Sequence, residues 1–390
     1  MNDFIFNTTA SIRLKSGGAA ELGDILADMP IAAQERGAML VTDPGIMKLG
    51  LADAALESLE ARKIKTLVFD KVEADPKAET VLEATAIAKD AGIGCIIGFG
   101  GGSSMDVAKV VALLCGADQP LDALYGVNLA KGKRLPLVLV PTTAGTGSEV
   151  TAVSILTTGT EEKKGVVTPI ILPDIALLDP DLTIGLPPHI TAATGVDAMV
   201  HAIEAFTSRS ANNNPISRTL AKQALDLLAA NIREAVANGS NREARVNMLL
   251  GSMLAGQAFA NSPVAAVHAL AYPVGSLFHV PHGLSNALVL AEVMRFNAAD
   301  CGAEYAELAP HVFPDIDTGR SSQAVTLDFI ERLVSLNRDL GLEPGLSHVG
   351  ITKSDIPKLA SDAMNQTRLL VNNPREVREE DAARIYEASL

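Results

Sequence analysis

The stretch Ile93-Gly-Cys-Ile-Ile-Gly-Phe99 runs straight into Gly100-Gly-Gly-Ser-Ser-Met-Asp106 and then into Val107, Val110, Val111 and Leu114, and its reading decides the fold of the first half of the chain. A short β-branched run reads as a strand, and apolar residues three and four apart read as the buried face of a helix. Three consecutive glycines between them let a backbone approach closely, and the helix start behind them supplies unpaired N–H groups and a positive dipole end. The functional reading is a cradle for a diphosphate. The bland alternative is that Ser103-x-x-Asp106 is a capping box that only starts the helix. The spacing departs from the dinucleotide-binding fingerprint, because Gly98-x-Gly100-x-x-Ser103 lacks the third glycine.

Working outward, the same alternation of short apolar runs with alanine-rich stretches continues through the first half. Strands are expected at 38–42, 66–69, 93–99 and 135–140, with a helix over 76–91, which is the pattern of parallel strands joined by crossover helices in an open α/β sheet. From about Pro187 the texture changes to long helical patterns, such as 217–238 and 243–259. The segment from Leu178 to Pro188 carries three prolines and a glycine, so a domain boundary is placed there, with residues 1–185 as an α/β domain and 186–390 as an all-helical one. The acidic run Arg378-Glu-Glu-Asp381 reads as a helix start.

Two further features extend the nucleotide reading. Asp43 follows the strand Met39-Leu-Val-Thr42; an acid there accepts hydrogen bonds from a ribose 2′-hydroxyl and repels a 2′-phosphate, favouring NAD over NADP, although Asp43-Pro-Gly also makes an ordinary turn. The loop Thr142-Thr-Ala-Gly-Thr-Gly-Ser148 follows another strand and offers hydroxyl and amide donors to phosphate or ribose oxygens. Open α/β sheets bind ligands beyond the carboxyl ends of their strands, where both loops fall.

Composition narrows the function classes. With 390 residues, 48% hydrophobic and 20% charged, the chain has the makings of two well-filled domains. A formal charge of −14 argues against nucleic acid and anionic membrane surfaces as partners. Tryptophan is absent and aromatics make up 4%, so stacking platforms for single strands are not on offer. Cys95, Cys115 and Cys301 have no CxxC spacing and read as buried thiols of a reducing compartment. The first residues lack a signal pattern and no apolar run approaches the ~20 residues of a membrane span, so a cytoplasmic location is expected.

The second half carries a candidate metal constellation. Asp197 and His201 are four residues apart, hence on one helix face, among Ala, Val, Met and Ile, where an uncompensated charge is costly. An isolated pair at this spacing is more often a surface pair. His268 and His282 complete a set of one carboxylate and three imidazoles suited to catalytic Zn²⁺ or Fe²⁺, with no thiolate as in structural zinc sites. Glu204 is read as lying behind the ligands or on a helix face, and His279 as a non-ligand lining group; His189, His311 and His348 read as ordinary histidines.

GGGSSMDVAK at 100–109, PTTAGTGSEVT at 141–151, GVDAMVHAIEAF at 195–206 and HALAYPVGSLFHVPHG at 268–283 together resemble the iron-containing, or group III, alcohol dehydrogenases, in the right order and over essentially the whole chain. The resemblance implies a dehydroquinate synthase-like fold: an N-terminal Rossmann-like domain binding NAD and an all-α C-terminal domain binding the metal. It assigns Gly100, Gly101, Gly102 and Ser103 to the diphosphate, Asp43 to NAD preference, Asp106 to the nicotinamide end, and Thr142, Thr143, Thr146 and Thr151 to the second cofactor loop. It assigns the metal to Asp197, His201, His268 and His282, and the substrate pocket to Phe259. Members such as lactaldehyde reductase often carry a histidine four residues after the third ligand; here that position is Tyr272, which alters the pocket and leaves no histidine for a proton relay.

The implied activity is hydride transfer between NAD(H) and a short primary alcohol or diol, or its aldehyde, with the metal activating the alcohol oxygen. Iron rather than zinc follows from the resemblance, since affinity order at an N/O site favours zinc. A homodimer or higher homo-oligomer is expected, with Phe4-Ile-Phe6 and Ser11–Leu14 as candidate interface strands. The alternatives are a maleylacetate reductase-type enzyme, a dehydroquinate synthase-like lyase, and a non-enzymatic NAD sensor. The lyase needs cations for a substrate phosphate, and none of Arg209, Arg218, Lys222, Arg233, Arg242 and Arg245 adjoins a candidate ligand in sequence.

Overall fold

A computed structural model describes residues 3–29, 36–159 and 162–390. They fall into two units. One comprises Asn7–Thr143 and Gly147–Ile184; the other comprises the described residues before Asn7, Ala144–Thr146 and Gly185–Leu390.

The strands of the first unit are β1 (Ser11–Leu14), β2 (Ala38–Val41), β3 (Thr66–Phe69), β4 (Cys95–Gly100), β5 (Gly126–Val127), β6 (Leu137–Pro141), β7 (Val153–Thr158), β8 (Glu162–Val167) and β9 (Ile175–Leu178). Six form a parallel sheet in the order β1-β9-β6-β4-β2-β3, and β5-β8-β7 form a smaller one. Every residue of β2, β4, β6 and β9 is buried, as expected of parallel strands covered on both faces. The helices of this unit are α1 (Leu22–Ala27), α2 (Pro44–Lys48), α3 (Asp53–Ala61), α4 (Ala78–Asp90) and α5 (Gly102–Gly116). The ends of β4 and β6 are level, with Gly100 paired to Pro141, so the glycine loop and the hydroxyl loop leave the sheet side by side. Thr142 N donates to Gly100 O at 2.9 Å and ties them.

Sequence and structure differ in instructive places. The hairpin β7–β8 was not anticipated, because Glu162-Lys-Lys-Gly165 has no strand-like apolar alternation and is held by its partner strand instead. Phe4–Phe6 is not a strand in this chain; Ile5 instead exchanges two hydrogen bonds, at 2.9 and 2.8 Å, with the side chain of Asn212. β1 is a strand and lies at the edge of the sheet. Cys95 and Cys301 are buried, but Cys115 only partly. Burial pushes the thiols of Cys95 and Cys301 up to about 12 and that of Cys115 to about 11.

The second unit is built of α6 (Pro188–Thr207), α7 (Pro215–Ala237), α8 (Arg242–Asn261), α9 (Ala266–Phe278), α10 (His282–Val312), α11 (Ser322–Asp339), α12 (Ile356–Met364), α13 (Thr367–Leu370) and α14 (Glu379–Ala388). α6 is buried along most of its length and packs against α7, α8 and α10. α14 starts where the acidic run suggested, with Arg378 N donating to Asp381 Oδ2 at 3.0 Å. Among the described residues no helix is long and apolar enough to cross a membrane.

Candidate metal centre and cofactor loops

The helical unit brings Asp197, His201, His268 and His282 together, with one ligand atom from each lying within 4.8 Å of the others. Asp197 and His201 come from one face of α6, His268 from the first turn of α9 and His282 from the first turn of α10. Asp197 Oδ1 lies 3.9 Å from His201 Nε2, 3.9 Å from His268 Nε2 and 3.7 Å from His282 Nε2. Asp197, His201 and His268 are buried and His282 is partly exposed.

The groups behind the ligands decide whether this cluster fits a cation. His268 Nδ1 lies 2.6 Å from Glu204 Oε2, and His201 Nδ1 lies 3.2 Å from the carbonyl of Gly145. Both partners only accept, so each Nδ1 carries the proton and each Nε2 turns a lone pair towards Asp197. Burial pushes His201 down to about 3, against the pull of Asp197, so this ring is neutral. A buried carboxylate facing imidazole lone pairs is a donor set without a cation of its own, and it fits a divalent ion. Glu204 has a second duty: its Oε1 accepts from Val267 N at 2.7 Å, in the first turn of α9. One carboxylate thus starts the helix and orients the ligand it carries.

Two aromatic rings lie beside the cluster. The Phe259 ring stacks on His201 with centroids 4.3 Å apart, and Tyr272 lies 5.9 Å from His282. A Cβ on Gly283 would come 2.4 Å from Ala193 O, so α10 approaches α6 closely only because glycine follows the ligand His282. His279, with φ 55, ends α9 as an exposed left-handed residue. His311 pairs with Asp226 at 2.9 Å.

In the α/β unit the helix behind the glycine loop begins at Gly102 after the N-cap Gly101, and no side chain caps it. The capping-box reading of Ser103 and Asp106 is therefore wrong. Asp106 Oδ1 accepts from Ser148 Oγ at 2.6 Å and its Oδ2 from Ile155 N at 2.9 Å. The missing third glycine of the fingerprint is replaced from within β4: a Cβ on Gly98 would meet Leu139 Cδ2 at 2.6 Å and Ala108 Cβ at 2.7 Å, so Gly98 provides the close helix–strand packing. Asp43 is the N-cap of α2, its Oδ1 accepting from Gly45 N and Ile46 N. Its Oδ2 is aimed differently, 3.4 Å from where a side chain on Gly100 would begin. The turn thus uses one oxygen of Asp43 and leaves the other outside it.

Sequence reasoning missed three residues. Lys109, wholly buried on α5, donates to Ser148 Oγ at 2.7 Å, Val153 O at 2.8 Å and Thr151 Oγ1 at 3.0 Å, tying the helix behind the glycine loop to the segment that follows the hydroxyl loop. Thr151 is thereby engaged inside the unit. A lysine in Val107-Ala-Lys-Val110, on an otherwise apolar helix, was its signal. Gly145, whose carbonyl accepts a hydrogen bond from His201 Nδ1, left none. Asn286, four residues after His282 in an apolar run, donates to Asp197 Oδ1 at 2.6 Å, and the i, i+4 spacing was its signal.

Comparison with known proteins agrees with this layout. Residues 9–180 match the family model of the iron-containing alcohol dehydrogenases, and residues 191–390 that of the C-terminal part of the Fe-containing alcohol dehydrogenase family. The chain is 40% identical to long-chain-alcohol dehydrogenase 1 of Geobacillus thermodenitrificans over 355 residues, covering 90% of this chain and 89% of the relative. The crystal structure of a 1,3-propanediol oxidoreductase superposes with a TM-score of 0.94 at 33% identity, covering 100% of both chains. That of a sulfoacetaldehyde reductase from Bifidobacterium kashiwanohense in complex with NAD+ superposes with a TM-score of 0.85 at 30% identity, covering 100% of this chain and 98% of that one. The chain therefore belongs to the iron-containing alcohol dehydrogenase family.

Proposed function

We propose that Asp197, His201, His268 and His282 hold the metal of an NAD-linked oxidoreductase that interconverts short primary alcohols or diols with their aldehydes. The observation that carries this reading is the orientation of the ligand set: acceptors behind His201 and His268 turn lone pairs towards a buried carboxylate. A divalent ion there, Fe²⁺ in keeping with the family and Zn²⁺ as the other fit, supplies Lewis acidity towards an alcohol or carbonyl oxygen. Bound NAD supplies the hydride acceptor.

The chain's own residues do the rest. Asp197 brings negative charge to the site, and Glu204 and the Gly145 carbonyl fix the imidazole tautomers. Phe259 and Tyr272 present apolar ring faces beside the ligands, which suits a short carbon chain better than a dicarboxylate. On the α/β unit, Gly100, Gly101, Gly102 and Ser103 offer backbone and hydroxyl donors to the diphosphate at the start of α5. Asp43 Oδ2 accepts from ribose hydroxyls and disfavours a 2′-phosphate. Thr142, Thr143 and Thr146 supply hydroxyls from the second loop, and Asp106 and Thr151, tied to the end of that loop through Ser148 Oγ and Lys109 Nζ, complete the cofactor-binding set. Residues 1–185 and 186–390 are the NAD-binding and metal-binding domains of this proposal. The outer edge of β1, with Ile12 and Leu14 exposed, offers a strand for pairing with a second copy, so a homodimer is the proposed state. The unpaired thiols favour a cytoplasmic location.

The test is anaerobic purification, reconstitution with Fe²⁺ or Zn²⁺ in turn, and NADH absorbance with a panel of short alcohols, diols, aldehydes and maleylacetate. Metal-dependent turnover of the alcohols with preference for NAD is expected. Turnover of maleylacetate alone, or undiminished turnover after chelation, refutes the metal-assisted reading.

A further inference from the structure

One buried polar side chain at the metal cluster has no part in the chemistry proposed above. Asn286 is wholly buried on α10, on the same face as His282. Its Nδ2 donates to Asp197 Oδ1 at 2.6 Å and lies 3.3 Å from both His268 Nε2 and His282 Nε2. Its Oδ1 finds no hydrogen-bond partner among the described residues. The amide therefore faces the ligand atoms with its hydrogens and leaves its oxygen unsatisfied. The chemistry of the neighbours explains that orientation. A carboxylate oxygen only accepts, and His268 Nε2 carries a lone pair because its Nδ1 proton is committed to Glu204. Turned the other way, the amide oxygen would meet an anionic oxygen at 2.6 Å.

We propose that Asn286 is a positioning residue for the divalent cation: it selects which oxygen of Asp197 faces the three imidazoles and closes the side of the site between His268 and His282. The proposal rests on the reading that this cluster holds a metal. Before an ion arrives, the amide hydrogens partly compensate the buried carboxylate. With an ion held by the imidazoles, Asn286 Nδ2 would lose His268 Nε2 as an acceptor, whereas Asp197 Oδ1 would keep a lone pair for the bond at 2.6 Å. The bond that persists holds the carboxylate to one oxygen. Without it, Asp197 is free to rotate and offer both oxygens, and the open side admits water, so both affinity and coordination geometry change.

The test uses the full chain loaded with Co²⁺, whose visible absorption reports coordination geometry, together with chelator competition for Zn²⁺ and NADH titration as a fold control. Two variants separate positioning from packing. Asn286→Ala removes the amide, and Asn286→Leu restores volume without donors. Both are expected to bind Zn²⁺ about 10-fold or more weakly and to shift the Co²⁺ spectrum, with NADH affinity unchanged. If Asn286→Leu matches the parent in affinity and spectrum, the residue only packs and the proposal is overturned; this arm stands even if the alanine variant does not fold. If the parent itself takes up no divalent ion, the metal reading fails, and the proposal with it. A parent that binds metal beside variants that bind it equally well overturns the proposal alone.

Discussion

Replacing Glu204 by Gln is the sharpest test of how the site is tuned, because it keeps shape and removes charge. Glu204 accepts two hydrogen bonds, from Val267 N at 2.7 Å and from His268 Nδ1 at 2.6 Å. A glutamine has one accepting oxygen and one donating nitrogen, so only one of these survives. If the amide nitrogen faces Val267, two donors collide at the start of α9. If it faces His268, the ring must accept at Nδ1 and carry its proton on Nε2, the atom aimed at Asp197. Either choice replaces a carboxylate acceptor by a neutral amide, and the first loses the Val267 bond outright, about 1.5–3 kcal/mol. The second also blocks a ligand. Second-layer partners of this kind alter metal affinity by about 10- to 100-fold, which corresponds to about 1.4–2.7 kcal/mol. The assay is competition for Zn²⁺ against a chromophoric chelator, with NADH affinity measured alongside. Zn²⁺ affinity within twofold of the parent, in a folded variant, refutes the argument that the Glu204 carboxylate tunes His268 towards a metal.

Three further outcomes follow from buried groups. Burial pushes Glu149 up to about 7 from 4.5, so between those values the folded chain holds a proton that the unfolded chain lacks; stability present below about pH 4.5 is lost as pH rises through 7, by about 3 kcal/mol. Glu149→Gln should accordingly unfold at a higher temperature than the parent at pH 8 and match it near pH 4.5, read by thermal denaturation across pH. Lys109→Met removes the cation beside Asp106 and the donor to Ser148, Thr151 and the Val153 carbonyl, and should cost about 3–5 kcal/mol in denaturant unfolding. Gly283→Ala drives a methyl against the Ala193 carbonyl and should cost about 1–3 kcal/mol while weakening metal uptake, since Asp197 Cβ is also within 3.3 Å of the new group.

What could be read from the sequence follows physical range. Strands β2, β3, β4 and β6 were legible from short apolar runs such as Cys95–Gly100 and Leu137–Pro141, whereas the equally buried Ile175–Leu178 was not expected, because it lies among the prolines and aspartates that mark the boundary. Asp197 and His201 were visible as a carboxylate and an imidazole in apolar surroundings, where a partner is obligatory, and His268 and His282 as the further imidazoles that complete the candidate set. The strand Glu162–Val167 was not legible, because its partner rather than its composition makes it a strand. Gly145 was invisible for a similar reason: a backbone carbonyl acts by position, and only the fold brings it to His201. Asp43 shows a different limit, since the sequence marks a turn acid without telling that one oxygen makes the turn while the second is aimed elsewhere.

The three thiols have a practical consequence. With the ionised forms of Cys95, Cys115 and Cys301 suppressed by burial, maleimides and disulfide reagents meet a surface that scarcely reacts at neutral pH. The native cysteines can then stay in place when a reporter is attached. A single cysteine introduced at Val371, which is 74% exposed, would carry a fluorophore or spin label on the helical unit, and one at Leu49, 72% exposed, would mark the α/β unit. Distances between such labels, followed as metal and nucleotide are added separately, would turn this oxidoreductase into its own ruler.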